Sequence, residues 1–276
     1  MAKLDRLDWV AGFAFLSFGI RVGIRTNKPE LLQTLTSRLP IGWKPLSTNQ
    51  VDTLFSLKVG GTGKRPGLRQ FHLAYGNFIQ LARTHSLETA LDAFERDLQI
   101  HIAENAITRI FVHAGVVSWQ GTALLIPGRS LSGKSTLVRE LVKAGATYYS
   151  DEYAVLDSQG RVHPYPTPIG VRTNPLEKQL KYPIETFGGK VGKKPLPVGL
   201  VLVTNYQEGA RWKPKRISPG QGLLALLTNT ISAQRDPQKA MTTLERVVSQ
   251  APTLKSVRGE TGEVVEMLLN HPWPTL

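Results

Sequence analysis

Apolar and polar residues alternate from Leu16 to Ile24, where Leu16, Phe18, Ile20, Val22 and Ile24 are separated by Ser17, Gly19, Arg21 and Gly23. Period two predicts a strand with one buried face. The most apolar stretch, Trp9 to Ile20, overlaps it. It is shorter than the roughly 18 apolar residues of a membrane span. Asp5 and Asp8 stand where a signal peptide carries positive charge, so the strand reading is preferred.

The pattern then changes period. Pro29 to Leu39 reads as a helix, with proline in the first turn and Leu31, Leu32, Leu35 and Leu39 on one face. Residues 51–59 and 69–84 read as strands, the latter pair turning at Gly76-Asn77. Gly60 to Gly67 is a loop between them. Ser86 is placed to cap a helix whose apolar positions are Leu87, Leu91, Phe94, Leu98 and Ile102. Residues 1–106 are therefore expected to form a small α+β region.

A second regime occupies residues 107–276. Ile110–Val117 and Ala123–Ile126 predict strands, and Lys134–Ala144 a helix. Further strands are expected at 146–150, 153–156 and 161–165, the last two joined by the turn Asp157–Gly160. Prolines 175, 183, 195 and 197, with paired glycines and lysines, predict a mobile connection over 173–197. Val198–Val203 reads as a buried strand. A helix opens at Ser218-Pro219, and two more follow near 237–250 and 260–269.

Composition narrows the chemistry. The 276 residues hold no cysteine, which excludes disulfides, thiolate metal sites and cysteine nucleophiles. The six histidines have no close ligand spacing. The net charge is +13, and residues 161–220 carry 11 basic against 3 acidic side chains. Lys190, Lys193 and Lys194 form one cluster, and Arg211, Lys213, Lys215 and Arg216 another. These read either as a solvated face or as a docking surface for an acidic or phosphate-bearing partner. Nucleic acid ranks below both, because no recognition motif accompanies the charge.

The segment Gly128-Arg129-Ser130-Leu131-Ser132-Gly133-Lys134-Ser135 matches the pattern Gly-x4-Gly-Lys-Ser/Thr of a phosphate-binding loop. A strand runs into its first glycine and a helix leaves its lysine, the context in which backbone N–H groups face an anion. Gly128, Ser130, Ser132, Gly133, Lys134, Ser135 and Thr136 are the expected nucleotide contacts, with Lys134 on the terminal phosphates and Ser135 on Mg²⁺. Gly60-Gly61-Thr62-Gly63-Lys64 looks similar but is followed by Arg65-Pro66, so it reads as a hairpin loop.

Asp151 and Glu152 follow at the end of the next strand. One carboxylate suits magnesium and the other suits proton abstraction from an attacking hydroxyl. His113, alone in an apolar strand, reads on its own as a core residue.

Together, His113-Ala114, the loop 128–135, the helix ending at Gly145 and Ser150-Asp151-Glu152 resemble the catalytic domain of HPr kinase/phosphorylase and, more closely, the HPr-kinase-related proteins. The similarity covers 107–172 best; residues 1–100 do not resemble the N-terminal domain of true HPr kinases. The resemblance implies an α/β P-loop domain with a mixed sheet, akin to HPr kinase and phosphoenolpyruvate carboxykinase. It implies an ATP- and Mg²⁺-dependent kinase acting on a serine of a protein or peptide; the cytoplasmic location expected for it follows from the missing span and signal pattern. Asp151 would be the general base, His113 a support for it or for the transferring phosphate, Glu152 a metal ligand in place of the family's second aspartate, and Arg172 an active-site arginine. The basic loop near 188–194 would lie on a flexible substrate side, so residues 190–216 are the expected docking surface. The family's full signature for HPr itself is absent. A small-metabolite kinase and a nucleotide sensor remain alternatives, as does a homo-oligomer.

Overall fold

The computed structural model describes residues 4, 5, 7–48, 50–61, 70–171, 179–270 and 273. The chain divides into two compact units, Met1–Ile107 and Thr108–Leu276.

In the first unit, β1 (Ala11–Ser17) and β2 (Ile20–Thr26) form an antiparallel hairpin rather than the single strand that the alternation predicts. Phe18 and Gly19 make a two-residue loop with φ of 48° and 92°. Positive φ at both loop positions matches the twist of paired strands. The loop also reverses parity: Phe15 and Ser17 are buried before it, Ile20, Val22 and Ile24 after it. Leu16 therefore leaves the core face.

The 29–39 segment is a 3-10 turn followed by α1 (Leu32–Ser37). Next come β3 (Lys44–Leu46), β4 (Thr53–Lys58), β5 (His72–Gly76) and β6 (Ile79–Thr84), giving the sheet order β3-β1-β2-β4-β5-β6. The β5–β6 loop is Asn77-Phe78, one residue later than predicted. Most of the 60–67 loop falls in 62–69, outside the described residues. The helix α2 (Leu87–Asn105) is capped by Ser86, whose hydroxyl accepts from the Thr89 N–H, and it buries Leu91, Phe94, Leu98 and Ile102.

The second unit is a mixed sheet between two helical layers. Its strands are β7 (Ile110–Trp119), β8 (Thr122–Pro127), β9 (Thr147–Ser150), β10 (Tyr153–Leu156), β11 (Val162–His163), β14 (Val198–Tyr206), β15 (Lys215–Ile217) and β16 (Thr253–Arg258); a separate ribbon joins β12 (Ile169–Val171) and β13 (Leu180–Tyr182). The order is β11-β10-β7-β8-β14-β16-β15, with β9 also on β7. β8, β14 and β16 run parallel, and the other pairs are antiparallel. The helix α3 (Lys134–Lys143) shares one face with α6 (Thr261–Asn270). The helices α4 (Pro219–Leu227) and α5 (Pro237–Gln250) cover the other. Both faces are buried, which is why Ala123-Leu124-Leu125-Ile126 is apolar throughout.

Residues 173–197 hold more order than predicted. β13 and a 3-10 turn, Ile184–Phe187, occupy part of the segment. The backbone at Lys190 and Gly192 is pinned to Tyr148 of β9 by bonds of 2.8 Å each. Edge-strand pairing has overridden the loop-like composition. No helix among the described residues is long and apolar enough to cross a membrane.

Candidate active site

The carboxyl ends of β8, β14 and β16 converge on the loop between β8 and α3. Parallel strands place ligand-facing loops at that end, because each chain leaves its strand there and returns on a helix. Gly133 precedes α3 with φ of 84°, a conformation open to glycine and strained for other residues. The first-turn N–H groups of Lys134, Ser135 and Thr136 have no intrahelical acceptor, as at any helix start.

Lys134 is buried, and its ammonium folds back to donate a 2.8 Å hydrogen bond to the Arg129 carbonyl. Burial lowers its pKa, while the Glu152 and Asp151 charges oppose that shift. The loop thus folds around the Lys134 ammonium.

The acidic pair follows directly on the end of β9, where the sequence places it. β9 and β10 both run along the same edge of β7, and Asp151-Glu152 bridges them. The register slips between Val117↔Tyr148 and Val116↔Ser150, leaving Tyr149 as an extra residue. Such a bulge reverses the facing of the residues after it. Tyr148 and Asp151, three apart, would point to opposite faces of a regular strand. Here they meet: the Tyr148 hydroxyl lies 3.1 Å from Asp151 Oδ1. Oδ2 accepts the Gly170 N–H at 3.2 Å, and the Ser135 hydroxyl faces the same carboxylate. Burial raises the Asp151 pKa; Gly170, Ser135, Tyr148 and Lys134 all oppose it.

Glu152 stands half-exposed at the mouth of the cleft, its carboxylate crowded by neighbouring atoms, and its Oε1 lies 3.9 Å from His113 Nε2. Burial and the Lys134 charge hold His113 down at about 4, so the ring is neutral at pH 7. The pair is a polar contact, not an ion pair. Burial and the Asp151 charge raise the Glu152 pKa.

His113, Ser130, Gly133, Lys134, Ser135, Thr136, Asp151 and Glu152 line one cleft of about 240 Å³. Gly128 and Ser132 belong to the loop but not to that lining. Arg172 lies outside the described residues; Gly170 and Gln179, on either side of residues 172–178, both line the cleft. Sequence reasoning missed Tyr148, Gly170 and Gln179 as well as Arg258, which donates to the Gly133 carbonyl from the end of β16. Only the adjacent Tyr148-Tyr149 pair offered a signal, and the bulge that gives it meaning is not written in the local pattern.

The donor set for a cation is one hydroxyl and two carboxylates. Among the described residues no three histidine or acidic side chains cluster as ligands. Hard oxygen donors in that number suit magnesium, which keeps most of its shell as water and phosphate.

The two basic clusters are separate. Lys190 is bonded to β9, beside β7, while Lys215 and Arg216 belong to β15 at the far edge. Counted along the sheet through β9, β7, β8, β14 and β16, six strand spacings lie between, about 29 Å. Family models and curated proteins give no match to this chain.

Proposed function

We propose that the unit Thr108–Leu276 is an ATP- and Mg²⁺-dependent phosphotransferase acting on a serine hydroxyl of a protein or peptide, with a P-loop domain of the HPr-kinase-related kind. One observation carries this reading. Lys134 of the loop 128–135 and the Asp151 carboxylate, from separate segments, line a single cleft and interact through their charges.

Loop amides and Lys134 bind the β- and γ-phosphates, whose charge matches the loop's partial positive charge. Magnesium held by Ser135 and Glu152 would neutralise phosphate oxygens as charge moves to the leaving group. Asp151 accepts the proton of the serine hydroxyl as its oxygen attacks phosphorus. The bond to the β-phosphate oxygen breaks, and ADP leaves. A buried base with a raised pKa holds that proton better than an exposed aspartate. Neutral His113 lines the cleft beside Glu152 without adding a second cation.

The test is transfer of labelled γ-phosphate from ATP·Mg²⁺ into proteins and metabolites of a cell lysate. Wild type, Lys134→Ala and Asp151→Asn are run together. Label in a protein or peptide that needs both residues supports the reading. Label in a small molecule transfers it to a metabolite kinase. Nucleotide binding without any label points to a sensor.

A further inference from the structure

Arg258 is the largest of the fully buried side chains, at 1% exposure. Its Nη2 donates to the Gly133 carbonyl at 2.7 Å and its Nη1 to the Gly259 carbonyl at 3.3 Å. Nε has no partner among the described residues, and no carboxylate there is within ion-pair distance of the guanidinium, although the Glu260 charge partly offsets the cost of its burial. A cation buried without a direct ion pair is costly, and natural cores retain few of them. This one sits behind the loop and is not part of the cleft lining.

A second contact acts beside it. The Tyr206 N–H, at the end of β14, donates to the Ser132 carbonyl at 3.2 Å. The Tyr206 ring lies against the guanidinium, and its hydroxyl donates to Glu260 Oε1 at 3.1 Å. The Gln207 N–H closes the latch on the Arg258 carbonyl at 2.8 Å. All described peptides are trans. In a trans peptide the carbonyl and the N–H point in opposite directions. Fixing the Ser132 and Gly133 carbonyls from behind therefore aims the N–H groups of Gly133 and Lys134 away from the latch. A side chain at Gly133 would collide with Nη2, so glycine and arginine fit as a pair.

We infer that Arg258 is a positioning residue for polyphosphate binding: it locks the amides of the Gly133–Lys134 turn toward the cleft by holding the Gly133 carbonyl from behind. This rests on the nucleotide reading above. It extends the site to the C-terminal strand β16, which the loop motif does not reach.

The experiment is calorimetric titration of the full chain with ATP·Mg²⁺ and, separately, with inorganic triphosphate, alongside thermal melts. Arg258→Met removes the charge and keeps the volume. Its Kd for both ligands is expected to rise about tenfold or more, the scale of a lost hydrogen bond to a charged group. Its Tm is expected to hold or rise, because the buried charge is gone. Arg258→Lys restores charge and a donor and should recover part of the affinity. An Arg258→Met protein that binds both ligands like wild type overturns the inference. So does one that loses Tm and affinity together while Arg258→Lys loses them equally, since that marks a purely structural residue. If Arg258→Met does not fold, Arg258→Gln, uncharged but still a donor, is read in the same way. Wild type that binds neither ligand overturns the nucleotide reading itself; wild-type binding with an unaffected variant overturns only the role of Arg258.

Discussion

The Tyr148 hydroxyl stands between two acceptors, 3.1 Å from Asp151 Oδ1 and 2.7 Å from the Thr167 carbonyl. It has one proton to give. Burial, reinforced by the Asp151 charge, pushes its pKa well above the ordinary tyrosine value, so it acts as a fixed donor at any working pH. When Asp151 is ionised, the proton is best placed toward the carboxylate; when Asp151 carries a proton, the phenol can turn to Thr167. Tyr148→Phe removes a donor that favours the ionised base. Phosphoryl transfer is expected to fall about tenfold, as for a lost hydrogen bond to a charged group. The acid limb of the pH–rate profile should move to higher pH, with the Kd for ATP·Mg²⁺ unchanged. An unmoved limb would show that Tyr148 only fills space.

Gly115 faces the first turns of α3 across β7. A methyl group there would stand 2.6 Å from Val138 Cγ2 and 3.8 Å from Lys134 Cβ. Val138 is fully buried and cannot swing away. Gly115→Ala must therefore push α3 outward, which costs about 1–3 kcal/mol for an overpacked core. At this size each kcal/mol lowers Tm by about 2–4 °C. Lys134 rides on the displaced turn, so nucleotide affinity should fall along with Tm. A variant with normal Tm and normal affinity would contradict the packing described for this face.

These two residues also show what the sequence could and could not convey. Helices α2 and α3 were legible because their apolar spacing repeats over several turns, and Lys134 was legible because its motif is local. Tyr148 was not, because a one-residue bulge at Tyr149 decides which face it shares with Asp151. The same loss of parity at Phe18-Gly19 turned one apparent strand into a hairpin. The strand β16 escaped notice because Lys255 and Val257 are exposed on one face while Leu254 and Arg258 are buried on the other. A buried arginine reads as a polar position in any alternation scheme. Its place beside Gly133, 125 residues earlier in the chain, is set by the parallel pairing of β14 and β16.

His113 gives a prediction about pH and stability. Its folded pKa is about 4, lowered by burial and then by Lys134, against 6.5 ordinarily. Between those values the unfolded chain binds a proton that the folded chain does not. The contribution of neutral His113 is thus fully present above about pH 6.5 and is lost as pH falls toward 4. His113→Gln has nothing to titrate, so its Tm should decline less steeply over that window than the wild-type Tm. Parallel melting curves from pH 7 to pH 4 read this directly, and identical slopes would mean that the ring is not held neutral. Because His113 is already uncharged near neutrality, the variant should not shift any limb of the rate profile above pH 6.

Asp151→Asn separates the catalytic use of the carboxylate from its structural cost. Burial raises the Asp151 pKa above the ordinary 3.8. The folded chain then holds that proton more tightly than the unfolded one. The carboxyl group therefore contributes stability below its unfolded pKa and loses it as pH rises through the folded value. At neutral pH the ionised group is a net burden on the fold. Asparagine carries no charge, and its two atoms suit the surroundings: the amide oxygen accepts the Gly170 N–H, while the amide nitrogen donates to the Tyr148 oxygen, leaving that phenol to Thr167. The Gly170 and Tyr148 contacts then keep partners and the buried charge is gone, so Tm at pH 7 is expected to rise, by about 2–4 °C for each kcal/mol gained. Transfer should vanish, because no base remains for the serine proton, and ATP·Mg²⁺ should bind at least as tightly with one negative charge fewer near the phosphates. A variant that melts below wild type would show that the ionised carboxylate is stabilised by Gly170, Ser135, Tyr148 and Lys134 by more than its burial costs. In that case the base would titrate below the ordinary aspartate range, and the acid limb of the wild-type rate profile should be found there too.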